Sequence, residues 1–211
     1  MTGGVLAGQL SHVRWIGGAP GAGKTTVASA LAGRFDLRVY STDAAIAAHG
    51  AHPGPDAPLL SAFAGMSMDE RWLLRSAEEM LRTFPWFAGE RFGAITDDLS
   101  AQLTQPLTLA EGFRLLPRLV APLIPDARHA VWLLSTPDFS RCVFEARAPS
   151  AQFWRNTSDP EAALARLLDR DVLFTRRVRD EATGLGLRTI DVDAGMDATA
   201  LVDEVAKWFR L

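Results

Sequence analysis

The run Gly18-Ala19-Pro20-Gly21-Ala22-Gly23-Lys24-Thr25 fits the pattern G-x-x-x-x-G-K-[ST], the phosphate-binding loop. Glycines let the backbone curl so that successive N–H groups point inward at phosphate oxygens. The helix that follows presents its positive dipole end to the same anion. Lys24 is then placed to reach the β- and γ-phosphates and the Thr25 hydroxyl to ligate Mg²⁺. The expected nucleotide-binding set is Gly18, Ala19, Gly21, Ala22, Gly23, Lys24, Thr25 and Thr26, with ATP and Mg²⁺ as ligands. The competing account is a glycine-rich turn with a stray lysine. Of 22 basic residues, however, 20 are arginine, and only Lys24 and Lys207 are lysine. A lysine kept against that bias invites a chemical explanation. No N/T-K-x-D motif is present to read guanine, which leaves ATP as the default nucleotide.

Two carboxylates follow β-rich runs and can share a crevice with this loop. Asp43, in Ser41-Thr42-Asp43, stands where a carboxylate can accept the proton of an attacking hydroxyl or anchor it; the alternative is a cap for the helix through Ala44-Ala45-Ile46. Glu111-Gly112 closes another strand, and Glu111 is expected to hold an Mg²⁺-bound water or a substrate group, or else to cap a helix around Phe113–Leu116. Arg114, two residues on from Gly112, is a candidate for an anionic or polar substrate group.

The segment from Arg141 to Arg188 carries nine of the 20 arginines. Phosphoryl transfer spreads negative charge over equatorial oxygens, and a closing arginine stabilises that charge and excludes water. Arg147 and Arg141 are the first candidates and Arg155 the next; the remainder, Arg166 and Arg170 among them, read chiefly as solvated helix residues, with Asp169, Asp171, Asp180 and Glu181 interspersed as surface partners. Trp72, Phe84, Trp86, Phe87 and Phe92 either wall a pocket for a ring-bearing or apolar substrate or pack a helical layer. None of the four histidines is spaced for metal binding, and His49 and His52 are loop candidates near the crevice. Cys142 stands alone, which excludes an internal disulfide and a cysteine-cluster metal site, and reads as a small buried hydrophobe before a catalytic thiol.

Positioning these residues requires strands and helices in alternation. β-rich runs lie at Val13–Ile16, Leu37–Tyr40, Leu107–Ala110, Ala130–Leu134 and Leu187–Val192, separated by helical stretches such as Lys24 through Leu31. That alternation predicts a parallel sheet with helices on both faces, a three-layer α/β sandwich. Between the second and third strands lies a long helical insertion, at about 50–104. A turn-rich break at His52-Pro53-Gly54-Pro55 precedes it, and the capping-box signature Ser67-Met68-Asp69-Glu70 opens a helix running towards Arg82. Pro85 ends that helix, and another is expected from Trp86 to Leu103. Asp159-Pro160-Glu161 starts a helix towards Thr183, and a last helix spans about Asp197 to Phe209.

The chain has 211 residues, 48% of them hydrophobic and 22% charged, which fits one globular domain spanning 1–211. A net charge of −3 argues against a nucleic-acid surface, since such binders carry a basic face. No run approaches ~18 apolar residues and no basic start precedes the N-terminal apolar stretch, so a cytoplasmic protein with no membrane partner is expected.

On Gly17–Thr26, Ser41–Asp43 and Glu111–Gly112 the sequence resembles the P-loop kinases of the adenylate kinase, shikimate kinase, gluconate kinase and chloramphenicol phosphotransferase group. The resemblance implies a five-stranded parallel sheet of order 2-3-1-4-5 and an arginine-bearing lid, here at about 138–170. Its two leading arginines, Arg141 and Arg147, are six apart where four is commoner. The likeness to chloramphenicol phosphotransferase implies that Asp43 is the base. The expected function is therefore ATP- and Mg²⁺-dependent transfer of the γ-phosphoryl group to a hydroxyl of a small molecule, antibiotic-, sugar- or nucleoside-like. Two alternatives stand beside it: a nucleotide-gated regulatory ATPase or adaptor with a protein partner, and a zeta-toxin-like kinase of a nucleotide sugar.

Overall fold

A computed structural model describes residues 8–51 and 54–211. His52, Pro53 and the first seven residues lie outside the described residues, and with them the His52 loop candidate, the start of the turn-rich break and the N-terminal apolar stretch. Five strands, β1 (Val13–Gly18), β2 (Arg38–Ser41), β3 (Thr108–Glu111), β4 (Ala130–Ser135) and β5 (Arg188–Val192), form one sheet in the order β2-β3-β1-β4-β5. All four pairings are parallel, as alternating strands and helices require.

Side chains alternate across the sheet with period two, and the two faces feed two separate cores. On one face Ile16, Leu109, Val131, Leu133 and Ile190 pack under helix α1 (Lys24–Phe35) and the C-terminal helix, Ala198–Phe209, through Leu31, Val205 and Phe209. On the other, Trp15, Ala110, Trp132 and Leu134 meet the inserted helices and the 25-residue helix Pro160–Gly184. Trp132 is fully buried, and its indole N–H donates to Leu115 O at 2.7 Å. The three-layer α/β architecture and the sheet order are thus as expected.

The insertion departs from expectation in its helices. The capping box at Ser67 is present, with both reciprocal bonds, but its helix, α4 (Met68–Trp72), stops after five residues instead of reaching Arg82. The cause is Arg75: its guanidinium turns back to donate to Glu70 O at 2.8 Å and Arg71 O at 2.9 Å, occupying carbonyls that a continuing helix would use. Ser76 then caps a new helix, α5 (Ala77–Thr83). The helix expected over Trp86–Leu103 is likewise two, α6 (Pro85–Ala88) and α7 (Phe92–Ser100), separated at Gly89 and Arg91, both at positive φ. Two further short helices, α2 (Ile46–Gly50) and α3 (Pro58–Ala64), complete the connection from β2, and α8 (Pro117–Val120) follows β3.

After β4 the chain forms α9 (Pro137–Glu145), two short 3₁₀ turns, the long helix α10 (Pro160–Gly184) and, after β5, α11 (Ala198–Phe209). Cys142 is exposed on α9, which corrects its reading as a buried hydrophobe: the amphipathic helix turns Phe144 inward and leaves Cys142 outward. No helix among the described residues is long and apolar enough to cross a membrane.

Asp159 caps α10, its carboxylate accepting from Ala162 N–H at 3.1 Å. Asp159→Ala should lower unfolding free energy by about 1 kcal/mol in urea with an unchanged slope, as expected for a lost N-cap. An unaltered midpoint would mean that the cap contributes nothing to this helix.

Candidate active site

Parallel strands deliver their carboxyl ends to one edge of the sheet, and the register puts Ile16, Glu111 and Ser41 side by side there. The loop leaving β1 at that edge, residues 19–23, is tied to the neighbouring strand by Ala19 N–H donating to Leu133 O at 3.2 Å. Gly21 and Gly23 adopt φ of 80° and 76°, a left-handed backbone that glycine takes without strain. Gly23 is also the residue at the start of α1, and no side chain caps that end and no acidic residue lies in its first turn. α10 and α11, by contrast, start on aspartate caps. No side chain of the described residues thus caps the first-turn N–H groups of α1.

Lys24 is buried, and its ammonium donates to Ala19 O at 2.7 Å, inside the loop. Burial pushes its pKa down, while the charges of Asp43, Glu111 and Asp171 pull it back up and that of Arg147 lowers it further. Thr25, the next residue, donates its hydroxyl to Glu111 Oε2 at 3.2 Å, and Ser41 donates to Glu111 Oε1 at 2.6 Å. Glu111 is fully buried and lies within β3. It caps no helix, because residues 113–116 are not helical and the next helix starts at Pro117. Among the described residues no group of three or more His, Cys, Asp or Glu side chains is gathered to cage a metal ion. What the strand ends offer is an oxygen pair, the Thr25 hydroxyl and the Glu111 carboxylate.

Asp43 stands across the loop's opening. It does not cap α2, whose N-cap is Ala45 with no side-chain bond; its carboxylate lines the cavity and accepts a long bond from the Thr42 hydroxyl at 3.4 Å. The close approach that seats it is made by Gly112: a Cβ there would fall 1.7 Å from Thr42 Oγ1 and 3.1 Å from Asp43 Oδ1.

Arg114, expected to meet substrate, is instead buried behind this loop. It donates to Thr42 O at 3.2 Å, His49 Nδ1 at 3.0 Å and Arg91 O at 3.3 Å, and lies 4.3 Å from the centroid of Trp86. Because a guanidinium only donates, His49 Nδ1 must accept; Nε2–H then donates to Asp98 Oδ2 at 2.9 Å, which also receives Tyr40 OH at 2.6 Å. Burial lowers the Arg114 pKa to about 10 against the pull of Tyr40, Asp43 and Asp98. Burial and the bond to Asp98 push the Tyr40 phenol up.

One cavity of about 490 Å³ joins these parts. Gly21, Gly23, Lys24, Thr25, Thr26, Asp43 and Arg147 all line it, whereas Gly18, Ala19 and Ala22 lie buried behind it. Arg147 packs on the Phe144 ring at 3.9 Å, with no carboxylate paired to it among the described residues. Arg141 goes elsewhere: it lines a second cavity between α9 and α10 and faces Glu145 at 3.6 Å. Arg155 and Arg166 are exposed. Trp72, Phe84, Trp86 and Phe87 are at once core and cavity wall, and Phe92 is not part of the wall.

The chain matches no protein-family model and no curated protein.

Two residues read from sequence as a solvated helix arginine and its surface partner, Arg170 and Asp171, belong instead to the buried site, because they fall on the inward face of α10. Arg170 is buried and lines the cavity, and Asp171 behind it is buried beside it, its Oδ1 receiving Arg170 Nε and Nη2 at 2.9 and 2.6 Å. Burial raises the Asp171 carboxyl, and Arg170, Arg147 and Lys24 oppose that shift. The signal was there: Asp171 falls on the apolar stripe Ala163, Leu167, Phe174, Val178, where a charge must have a partner.

Arg114→Met should cost about 3 kcal/mol in urea unfolding, because two buried acceptors, Thr42 O and His49 Nδ1, and the part-buried Arg91 O lose a charged donor. A loss below about 1 kcal/mol, the range of an exposed ion pair, would show that the loop holds Asp43 without it.

Proposed function

We propose that the chain is a P-loop kinase that uses MgATP to phosphorylate a hydroxyl of a small molecule. The observation that carries this reading is the opening of an uncapped, glycine-started helix and the Asp43 carboxylate onto one cavity, with Lys24 beneath. The N–H groups of residues 21–26 and the Lys24 ammonium would hold the β- and γ-phosphates of ATP. Arg147, unpaired among the described residues and half-buried at the rim, would answer the charge on the transferring group.

Thr25 and Glu111 fit Mg²⁺, a hard cation that takes oxygen ligands and keeps most of its water. The pair is too sparse to cage a metal without a phosphate. The Thr25 hydroxyl would ligate directly and Glu111 through water, and the ion would neutralise phosphate charge.

Asp43 would accept the proton of the acceptor hydroxyl as its oxygen bonds to the γ-phosphorus; the β–γ bridging bond breaks and ADP departs. The bond of Arg114 to Thr42 O, and the close approach of Thr42 that the missing side chain of Gly112 allows, would keep that carboxylate in register with the loop. An adaptor would present an apolar face on the insertion. The insertion's aromatic side chains turn inward instead, and its exposed large apolar side chains among the described residues are two aliphatic ones, Leu74 and Leu103, at 70% and 75% exposed. This favours the kinase.

The test is ATP consumption across a panel of hydroxylated compounds, with product mass confirmed. Lys24→Ala should lower turnover ~100-fold or more, by removing the charge aimed at the phosphates. Asp43→Asn should lower it by a similar ~100-fold while leaving nucleotide affinity unchanged. Full activity in Lys24→Ala would refute the phosphate-loop reading, and full activity in Asp43→Asn would refute Asp43 as base.

A further inference from the structure

Beyond the phosphate loop the cavity changes character. Eight aromatic side chains line it, among them Phe63, Trp72, Phe84, Trp86 and Phe87. They brace one another: Trp72 meets Phe63 at 5.3 Å and Phe84 at 5.8 Å, Phe84 meets Phe87 at 4.8 Å, and Phe87 stacks on Phe174 at 3.7 Å. Trp86 is backed by the Arg114 guanidinium. A wall held on both sides in this way is preorganised, so a flat apolar ligand would not have to order it on binding.

The polar groups on the cavity divide by role. Lys24, Thr25, Thr26 and Arg147 belong to the phosphates in the reading above, and Asp43 to the reacting hydroxyl. Arg170 is left over. Its guanidinium lies 5.0 Å from the centroids of both Phe84 and Phe87 and 5.6 Å from that of Trp72. Nε and Nη2 are committed to Asp171, but Nη1 is buried with no hydrogen-bond partner. A buried donor without an acceptor is costly, and an oxygen brought by a ligand would relieve that cost. Asp171 already answers the positive charge, so the oxygen needs no charge of its own.

We infer that the phosphoryl acceptor is an alcohol with a flat, ring-bearing apolar body that also carries a neutral oxygen acceptor, a ketone, ester or amide carbonyl, for Arg170 Nη1. This rests on the kinase reading of the same cavity. A polyol fits poorly. Its several hydroxyls would face ring walls and lose water without gaining partners.

Three probes test the inference: phenylethanol carrying a ring acetyl group, plain phenylethanol, and glucose. Binding is read without nucleotide from the fluorescence of the cavity tryptophans, and transfer from ATP consumption. The acetylated alcohol should bind about tenfold tighter than the plain one, the worth of one hydrogen bond to a charged donor, and glucose should give no change. Arg170→Met alone would strand a buried carboxylate, so the comparison variant is Arg170→Met/Asp171→Asn, in which both charges go together. In that variant the two aromatic alcohols should bind equally. Equal binding of the two by the unaltered protein, or preference for glucose, overturns the substrate class and leaves the kinase standing. Tenfold preference with no transfer to either alcohol overturns the kinase reading and leaves the ligand class standing.

Discussion

The site depends on a single buried carboxylate, Glu111. It is fully excluded from solvent at the end of a central strand, a position that a carboxylate occupies at a cost unless its oxygens are satisfied. One oxygen takes the Thr25 hydroxyl from the first turn of α1, the other the Ser41 hydroxyl from the end of β2. The helix that follows the glycine loop and the strand that leads to Asp43 are therefore fixed to the same group. The parallel register makes this possible, because Ile16, Glu111 and Ser41 are direct neighbours across three strands.

Around that centre the insertion serves two purposes. Helix α7 and the turn before it supply Asp98 and Arg91, which together with His49 and Tyr40 surround Arg114 and lock the carbonyl of Thr42, one residue before Asp43. Its aromatic residues build the far part of the cavity and at the same time pack the core on that face of the sheet. Core and wall were posed as alternatives for Trp72, Phe84, Trp86 and Phe87, and the four are both. The arrangement ties the shape of the cavity to the stability of the domain, so changes in the aromatic wall should be felt in both.

Much of this was legible in the sequence for local reasons. The five strands were found within one or two residues, since buried parallel strands are short apolar runs bounded by turn residues. The caps at Ser67 and Asp159 were readable because a cap is a local bond. What failed was non-local. The arrest of α4 depends on the Arg75 guanidinium reaching back to two carbonyls, which composition does not reveal. Arg114 was read as a substrate ligand because its position after Glu111 was visible and its partners, at residues 42, 49 and 91, were not. Arg141 and Arg147 were paired as candidates, yet α9 ends at Glu145, and the two side chains open onto different cavities. Arg170 and Asp171 were readable in principle, as charges on the buried stripe of a long helix.

The central claim is that the strand-end cluster of Lys24, Thr25 and Glu111 receives a magnesium nucleotide. Calorimetric titration of ATP into the protein, with Mg²⁺ and with a chelator, in wild type and Glu111→Gln, tests it most directly. The account predicts one-to-one binding to the wild type that tightens with Mg²⁺, and a clearly smaller gain from Mg²⁺ in Glu111→Gln. Absence of ATP binding, or a magnesium gain that is the same in both proteins, would contradict it.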